Sequence, residues 1–380
     1  MVADTAVPEI ARQRRADVDE KHRQVAEFLD AQELDALLLR RQDSIAWFTS
    51  GGDASKGVSG EEMGAVALFI TPELRSVLAT NDESARFFEE EIAYLGFQLK
   101  ERRWYEGLDG LIQDICRGRR VGTDWPTNGC RLIYSDLLQL RRRLNTLEQR
   151  RYAALGADLA HAVEATCRNT EVGDTEFEVA GQLAHRMLRR GIAPVRVYVA
   201  ADDRSAEFRL AVPRGNRVTE RAQVAAVGRR FGLYAFACRT VCFGAVDEGF
   251  VQRYQAAAMV EATFVYQSSL NKPVDQIYQV AKRIYEKMGF PNEWVLARQG
   301  YALGYGVEEY NLSPDSPVLL MPGMAVGWSP SVGDARTGDT VLVGPKSYSL
   351  ITKPEHWPTL AVTVAGNLVE LPDLLRRAAT

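Results

Sequence analysis

The chain has 380 residues, 25% of them charged and 46% hydrophobic, with a net charge of −4. That length exceeds one ordinary core and suits two domains. The charge balance gives no reason to expect nucleic acid or a membrane surface as a partner, and no apolar run is long enough to span a bilayer. The N-terminus is rich in charge and lacks the apolar core of a leader, and the five cysteines (Cys116, Cys130, Cys167, Cys238, Cys242) read as reduced thiols. Together these features point to the cytoplasm. None of the four histidines (His22, His161, His185, His356) lies at ligand spacing from another, so a metal site built on histidine is not expected.

A charged amphipathic helix is predicted over 10–34, followed by strands at 35–40, 65–71, 76–80 and 119–124. Helical period returns in "DESARFFEEEIAYLG" and "GLDGLIQDICRG", and alternation of strands with helices implies a mixed or mostly parallel sheet. A long helix begins near Leu147. A second begins at Thr175, with Asp174 as its expected N-cap and Gly191 as its stop. Strands follow at 195–200, 223–228 and 231–244, then helices over about 247–270 and 274–288, then strands and turns to the end. The 231–244 strand, "FGLYAFACRTVCFG", interrupts apolar residues with Cys238, Arg239 and Thr240, a costly insertion unless something pairs with it.

Five patterns occur in order: "LEQRRYAALG", "EVGDTEFEVA", "GRRFGLYAFACRT", "GYALGYGVEE" and "LLMPGMAVGWSPSV…TGDTVLV…YSLIT". As an ordered set they resemble the pita-bread superfamily of methionine aminopeptidase, prolidase, aminopeptidase P and creatinase. "LDALLLRRQDSIAWFTSGG" resembles the N-terminal domain of the creatinase and prolidase branch. The resemblance implies an α+β, creatinase/prolidase-like chain: a smaller α/β domain over 1–145 and a pita-bread domain over 146–380, with a pseudo-two-fold between 151–245 and 246–380 and a curved antiparallel sheet. It also implies a homodimer.

Metallopeptidases of this superfamily hold two metals with two aspartates, a histidine and two glutamates. The resemblance places these at Ala225 or Ala226, Phe236, Tyr301, Ser329 and Gly338, which are poor ligands or none. No metal and no other cofactor is therefore expected. Creatinase, which works without metal, keeps a histidine and two glutamates. Those positions fall around Arg209–Leu210 and at Cys238 and Ser329, so that set is missing too.

The candidate catalytic residues that remain are Tyr301 as hydrogen-bond donor or acid, Cys238 as nucleophile, and Glu308 or Glu309 as base. Candidate substrate-binding residues are Arg239, Arg209, Asp203, Phe236, Trp328, Ser329 and Asp339. Each has a plainer reading. Cys238 is a small core residue on the opposite strand face from Arg239, Arg239 pairs with Asp339, Tyr301 fills a vacated cavity, and the acidic residues are solvated. Two functions stay open: a metal-independent hydrolase acting on a C–N bond of a small polar molecule, and a non-catalytic scaffold binding a small molecule or protein. The resemblance itself suggests a third, an Xaa-Pro aminopeptidase-like peptidase.

Overall fold

The computed structural model describes residues 8–58, 62–269 and 271–378; the first seven residues and position 270, both covered by the readings above, lie outside them. The chain divides into two compact units, Met1–Arg141 and Arg142–Thr380.

The first unit runs α1 (Glu9–Ala31), β1 (Ala36–Arg41), α2 (Gln42–Phe48), β2 (Met63–Ile70), β3 (Arg75–Thr80), β4 (Gln98–Arg102), α3 (Leu108–Cys116), β5 (Val121–Thr123), β6 (Arg131–Leu132) and α4 (Tyr134–Arg141). Its sheet is mixed, in the order β4-β3-β2-β1-β5-β6. Strand β4 carries no apolar alternation because it is an exposed edge, "QLKER". The "DESARFFEEEIAYLG" segment forms only a short wide turn of helix over Arg86–Glu91. Asp43 ties this unit together. Arg141 donates to its carboxylate at 3.0 Å, the Tyr134 hydroxyl at 2.7 Å and Arg41 at 3.2 Å. Burial works to raise the Asp43 pKa, but Arg141 and Arg41 hold it well below the usual carboxylate range.

The second unit begins with α5 (Thr146–Asn169) and α6 (Glu176–Leu188). A capping box starts each helix. At α6 the cap is Thr175 rather than the expected Asp174. The Thr175 hydroxyl accepts from the Glu178 N–H at 3.2 Å while Glu178 accepts from the Thr175 N–H at 2.7 Å, and Asp174 instead accepts from the Glu171 N–H. Gly191 follows the helix with φ of +66°, a conformation that suits glycine. Next come β7 (Ala193–Ala201), the short α7 (Arg204–Glu207), β8 (Arg221–Arg230) and β9 (Leu233–Phe243). The helix-pair-then-strands layout recurs with α8 (Glu248–Ser268), α9 (Val274–Lys287), β10 (Gly300–Leu303), β11 (Ala325–Trp328), β12 (Ser331–Val332), β13 (Ala335–Arg336), β14 (Asp339–Val343) and β15 (Tyr348–Leu350). A hairpin of β16 (Thr359–Val364) and β17 (Asn367–Pro372) and a last strand, β18 (Leu375–Arg377), complete it.

One sheet has the order β18-β9-β8-β7 and another β10-β11-β14-β15. All their pairings are antiparallel except that β18 lies parallel to β9, a departure from the antiparallel sheet expected. The sheets meet along β9, whose Tyr234 N–H donates to the Gly304 carbonyl and whose Cys238 N–H donates to the Gly338 carbonyl, each at 2.9 Å. Helices α8 and α9 bury Ala257, Phe264, Ile277 and Tyr285 against Val326, Trp328 and Val341 of the second sheet.

Asp43→Asn should lower stability by about 3–5 kcal/mol at neutral pH, because Arg141 is left buried without its counter-ion. A carboxylate whose folded pKa is depressed stabilises above its unfolded pKa, so the gap to wild type should shrink as pH falls below about 4. Thermal melts of the full chain between pH 7 and pH 3 measure both effects.

Candidate functional site

Strand register sorts the residues of this region into two faces. Across the first sheet, Arg196 pairs with Val227 and Val227 with Phe236, while Tyr198 pairs with Ala225 and Ala225 with Cys238. Those residues share one face. Arg239, one position on, points to the other face, toward α5. There each of its three guanidinium nitrogens is hydrogen-bonded. Nε donates to Glu164 at 3.2 Å, Nη1 to Asp339 at 3.0 Å and to the Cys238 carbonyl at 2.8 Å, and Nη2 to the Thr352 carbonyl at 2.7 Å. Burial works against the Arg239 charge, but Asp339 and Glu164 more than offset it, so the group stays protonated. Four of the five N–H donors of Arg239 are thus taken by structural partners on the face turned away from the site, and the substrate-binding expectation for Arg239 and Asp339 is corrected to a structural ion cluster.

Asp339 also accepts from the Thr352 hydroxyl at 2.6 Å. Burial raises its pKa against the pull of Arg239, to about 6. Glu261 of α8 lies beside it, fully buried, with no hydrogen bond of normal geometry to either oxygen. Burial, and then Asp339, push Glu261 well above the carboxylate range, which favours its neutral form.

The opposite face is the one on which the resemblance places the metals. Phe236 is completely buried and its ring packs on Tyr301 with centroids 5.2 Å apart. A Cβ on Gly338 would lie 2.5 Å from Phe236 Cε1 and 2.8 Å from the Trp328 carbonyl oxygen. The aromatic ring thus takes the room that a longer side chain at 338 needs, and the two replacements depend on each other. Ser329 is buried, and its hydroxyl accepts from Arg336 Nη1 at 2.8 Å. Among the described residues, no three His, Cys, Asp or Glu side chains form a group that could hold a metal ion. Ala225, Phe236, Tyr301, Ser329 and Gly338 do not fit a pair of divalent cations.

The other candidates fall at several places. Cys238 is on the site face, but burial pushes its thiol up to about 12 despite Arg336 and Arg239 nearby, so it is a neutral core thiol and not a nucleophile. Burial also pushes Tyr301 up to about 12, which keeps its phenol a neutral donor; the hydroxyl has no hydrogen bond of normal geometry, with Tyr198 its nearest phenol. Trp328 faces away from the site. It stacks on Phe264 at 4.2 Å, and its indole N–H donates to Ser268 at 2.9 Å, so its expected contact with substrate is corrected to core packing. Phe236 likewise fills space instead of offering a wall. Arg209 pairs with Glu293 at 3.0 Å and donates to the Gly333 carbonyl. Asp203 is exposed and pairs with Arg221 at 2.7 Å. Glu308 is exposed and pairs with Arg298, while Glu309 is buried with its carboxylate beside Gly306.

Sequence reasoning missed Arg336, Arg196, Tyr198, Glu164 and Glu261. One signal was present: in "QAAAMVEATFVYQ" a lone glutamate interrupts an apolar helix.

The sequence model of metallopeptidase family M24 matches residues 149–345. An Xaa-Pro dipeptidase of Pyrococcus horikoshii is 21% identical over 374 residues, covering 89% of this chain and 98% of the relative. Among solved structures, the prolidase of Pyrococcus horikoshii superposes with a TM-score of 0.74 at 18% identity, covering 88% of this chain and 99% of that one. The dipeptidase PepE of Mycobacterium ulcerans also gives 0.74 at 18% identity, covering 96% and 99%.

Arg239→Ala should cost about 3–5 kcal/mol in a denaturant titration, because Glu164 and Asp339 lose their shared cation. Glu261→Gln tests the protonated carboxyl. A group whose folded pKa is raised stabilises below its unfolded pKa, and that contribution is lost as pH rises. The variant should match wild type near pH 4, below the unfolded glutamate pKa, and become more stable than wild type as pH rises toward 8.

Proposed function

Because the chain belongs to metallopeptidase family M24, yet presents Phe236, Tyr301, Ser329 and Gly338 where the family resemblance places ligands, we propose that it is a hydrolase of a C–N bond in a small peptide-like molecule that works without a dinuclear metal centre. The observation that carries this reading is the mutual packing of Phe236 and Gly338, which leaves neither room nor charge for a carboxylate there. The substrate class follows the printed names of the relatives, Xaa-Pro dipeptidase and prolidase. On this reading Tyr301, a neutral phenol beside Tyr198, donates to the substrate carbonyl as negative charge develops on it.

One observation favours a second reading, a binder without turnover. Among the candidate bases, burial raises the Cys238 thiol and the Glu261 carboxyl toward their neutral forms, and Glu308 is engaged with Arg298. The peptidase reading, with metals, follows the family alone.

Incubating the purified chain with Ala-Pro and with N-acetylglycine, each with EDTA or with added Mn²⁺, separates the three. Amine release unchanged by EDTA is the expected result. Release that requires Mn²⁺ and is abolished by EDTA would overturn the metal-free reading. No release under any condition would leave the binder. Tyr301→Phe, which removes only the hydroxyl, should lower kcat by about 10²-fold or more with the melting temperature unchanged.

A further inference from the structure

Arg336, at the end of β13, is 2% exposed and takes part in no ion pair among the described residues. Its Nη1 donates to the Ser329 carbonyl at 2.9 Å and to the Ser329 hydroxyl at 2.8 Å. Nε and Nη2 are buried and have no partner at all. These two nitrogens form one edge of the guanidinium fork, the edge that grips a carboxylate side-on with two parallel hydrogen bonds. Arg239, on β9, shows the contrast: every one of its nitrogens is bonded, two of them to carboxylates.

The groups around Arg336 do not neutralise it. Its electrostatic neighbours are Cys238, Tyr301 and Tyr285, all held neutral by burial, and Arg209, whose charge is already met by Glu293. A second cation, the half-buried Arg196, lies 5.6 Å from the centre of the Tyr301 ring and is likewise in no ion pair among the described residues. Burial lowers the Arg336 pKa, yet a guanidinium does not surrender its proton in a protein. A buried, charged, half-bonded arginine costs stability, and a chain retains such a cost where a ligand repays it.

We infer that the Nε–Nη2 edge of Arg336 is a receptor for the carboxylate of a small monoanionic ligand, with the Tyr301 hydroxyl as its neighbouring donor. The inference rests on the reading that this face holds no metals. A planar carboxylate matches one fork edge, and a monoanion matches one fully buried cation among neutral phenols and a thiol. A phosphate dianion would need the several charged or backbone donors that such sites use, and they are not grouped here.

The test is a thermal-shift titration of the EDTA-treated full chain with N-acetylglycine, with its neutral analogue N-acetylglycinamide, and with inorganic phosphate. N-acetylglycine should raise the melting temperature saturably, as a ligand of the folded state does. The amide and phosphate should bind at least tenfold more weakly. Arg336→Met should abolish the shift and, without ligand, should melt at or above the wild-type temperature, because it removes an uncompensated buried charge. Arg336→Lys should fold and bind at least tenfold more weakly, because a single ammonium cannot reproduce the fork. An absent N-acetylglycine shift, an equal shift with the amide or phosphate, or an undiminished shift in either variant would overturn the receptor. If Arg336→Met fails to fold, Arg336→Lys and Tyr301→Phe decide; full N-acetylglycine affinity in both would overturn it. Failure of EDTA-resistant turnover leaves this titration unaffected, and a failed titration beside EDTA-resistant turnover would reject the receptor while sparing the reaction.

Discussion

The guanidinium of Arg239, held between Glu164 and Asp339, is the interaction on which the second unit depends. It joins α5 to β9 and β14, and through the Thr352 carbonyl it reaches the chain beyond β15. Removing Arg239 takes the shared cation from two buried carboxylates, and removing either carboxylate takes one of its two counter-ions from Arg239. The pairing also sets orientation. With Arg239 committed to the helix side, period-two alternation turns Phe236 and Cys238 to the opposite face, where they frame the site. Arg168 also approaches Glu164 at 3.9 Å, and burial with Asp339 favours the neutral form of Glu261 beside the cluster. A family scaffold that spends its buried ionic chemistry on structure leaves the site face to other groups.

That face carries its own logic. Metallopeptidase sites concentrate positive charge in bound ions and surround them with carboxylates. On the proposed reading those positions are apolar, hydroxylic or empty of side chain, and the fully buried cation on that face is the covalently fixed guanidinium of Arg336. A fixed cation needs no ligands, so Phe236 is free to pack on Tyr301 and to close the space above Gly338. The trade is chemical. A guanidinium orients an anion and donates hydrogen bonds, but it does not lower the pKa of a water molecule as a metal does. Binding and polarisation are what this arrangement supplies most directly.

Much of the fold was legible in the sequence because its signals are local. Helical period, the stop of α6 at Gly191, and the hydrophobic runs of β7 to β9 can each be read within about a dozen residues. Strand β4 escaped because an edge strand shows no alternation, and β18 because three residues carry no period at all. For the site, the resemblance to the pita-bread superfamily names the positions, and the sequence adds only which residue types stand at them. What those positions do instead was hidden. The direction of Arg336 depends on the β12–β13 hairpin, whose strands are two residues each, and the partners of Glu164 and Glu261 lie on segments 75 to 78 positions away in sequence. Trp328 read as a pocket wall because it stands next to Ser329, yet it lies on the same strand as Gly327 and faces the other way, onto Phe264.

The central claim is that a guanidinium and an aromatic ring, and not a pair of ions, occupy the heart of this M24 site. A crystal of the full chain soaked in Mn²⁺ and measured at the manganese absorption edge tests it most directly. The account predicts no anomalous peak within coordination distance of Tyr301 or Ser329, with Arg336 still hydrogen-bonded to Ser329 and Phe236 against Tyr301. Two manganese peaks roughly 3.5–4 Å apart on that face, with Arg336 displaced, would contradict it.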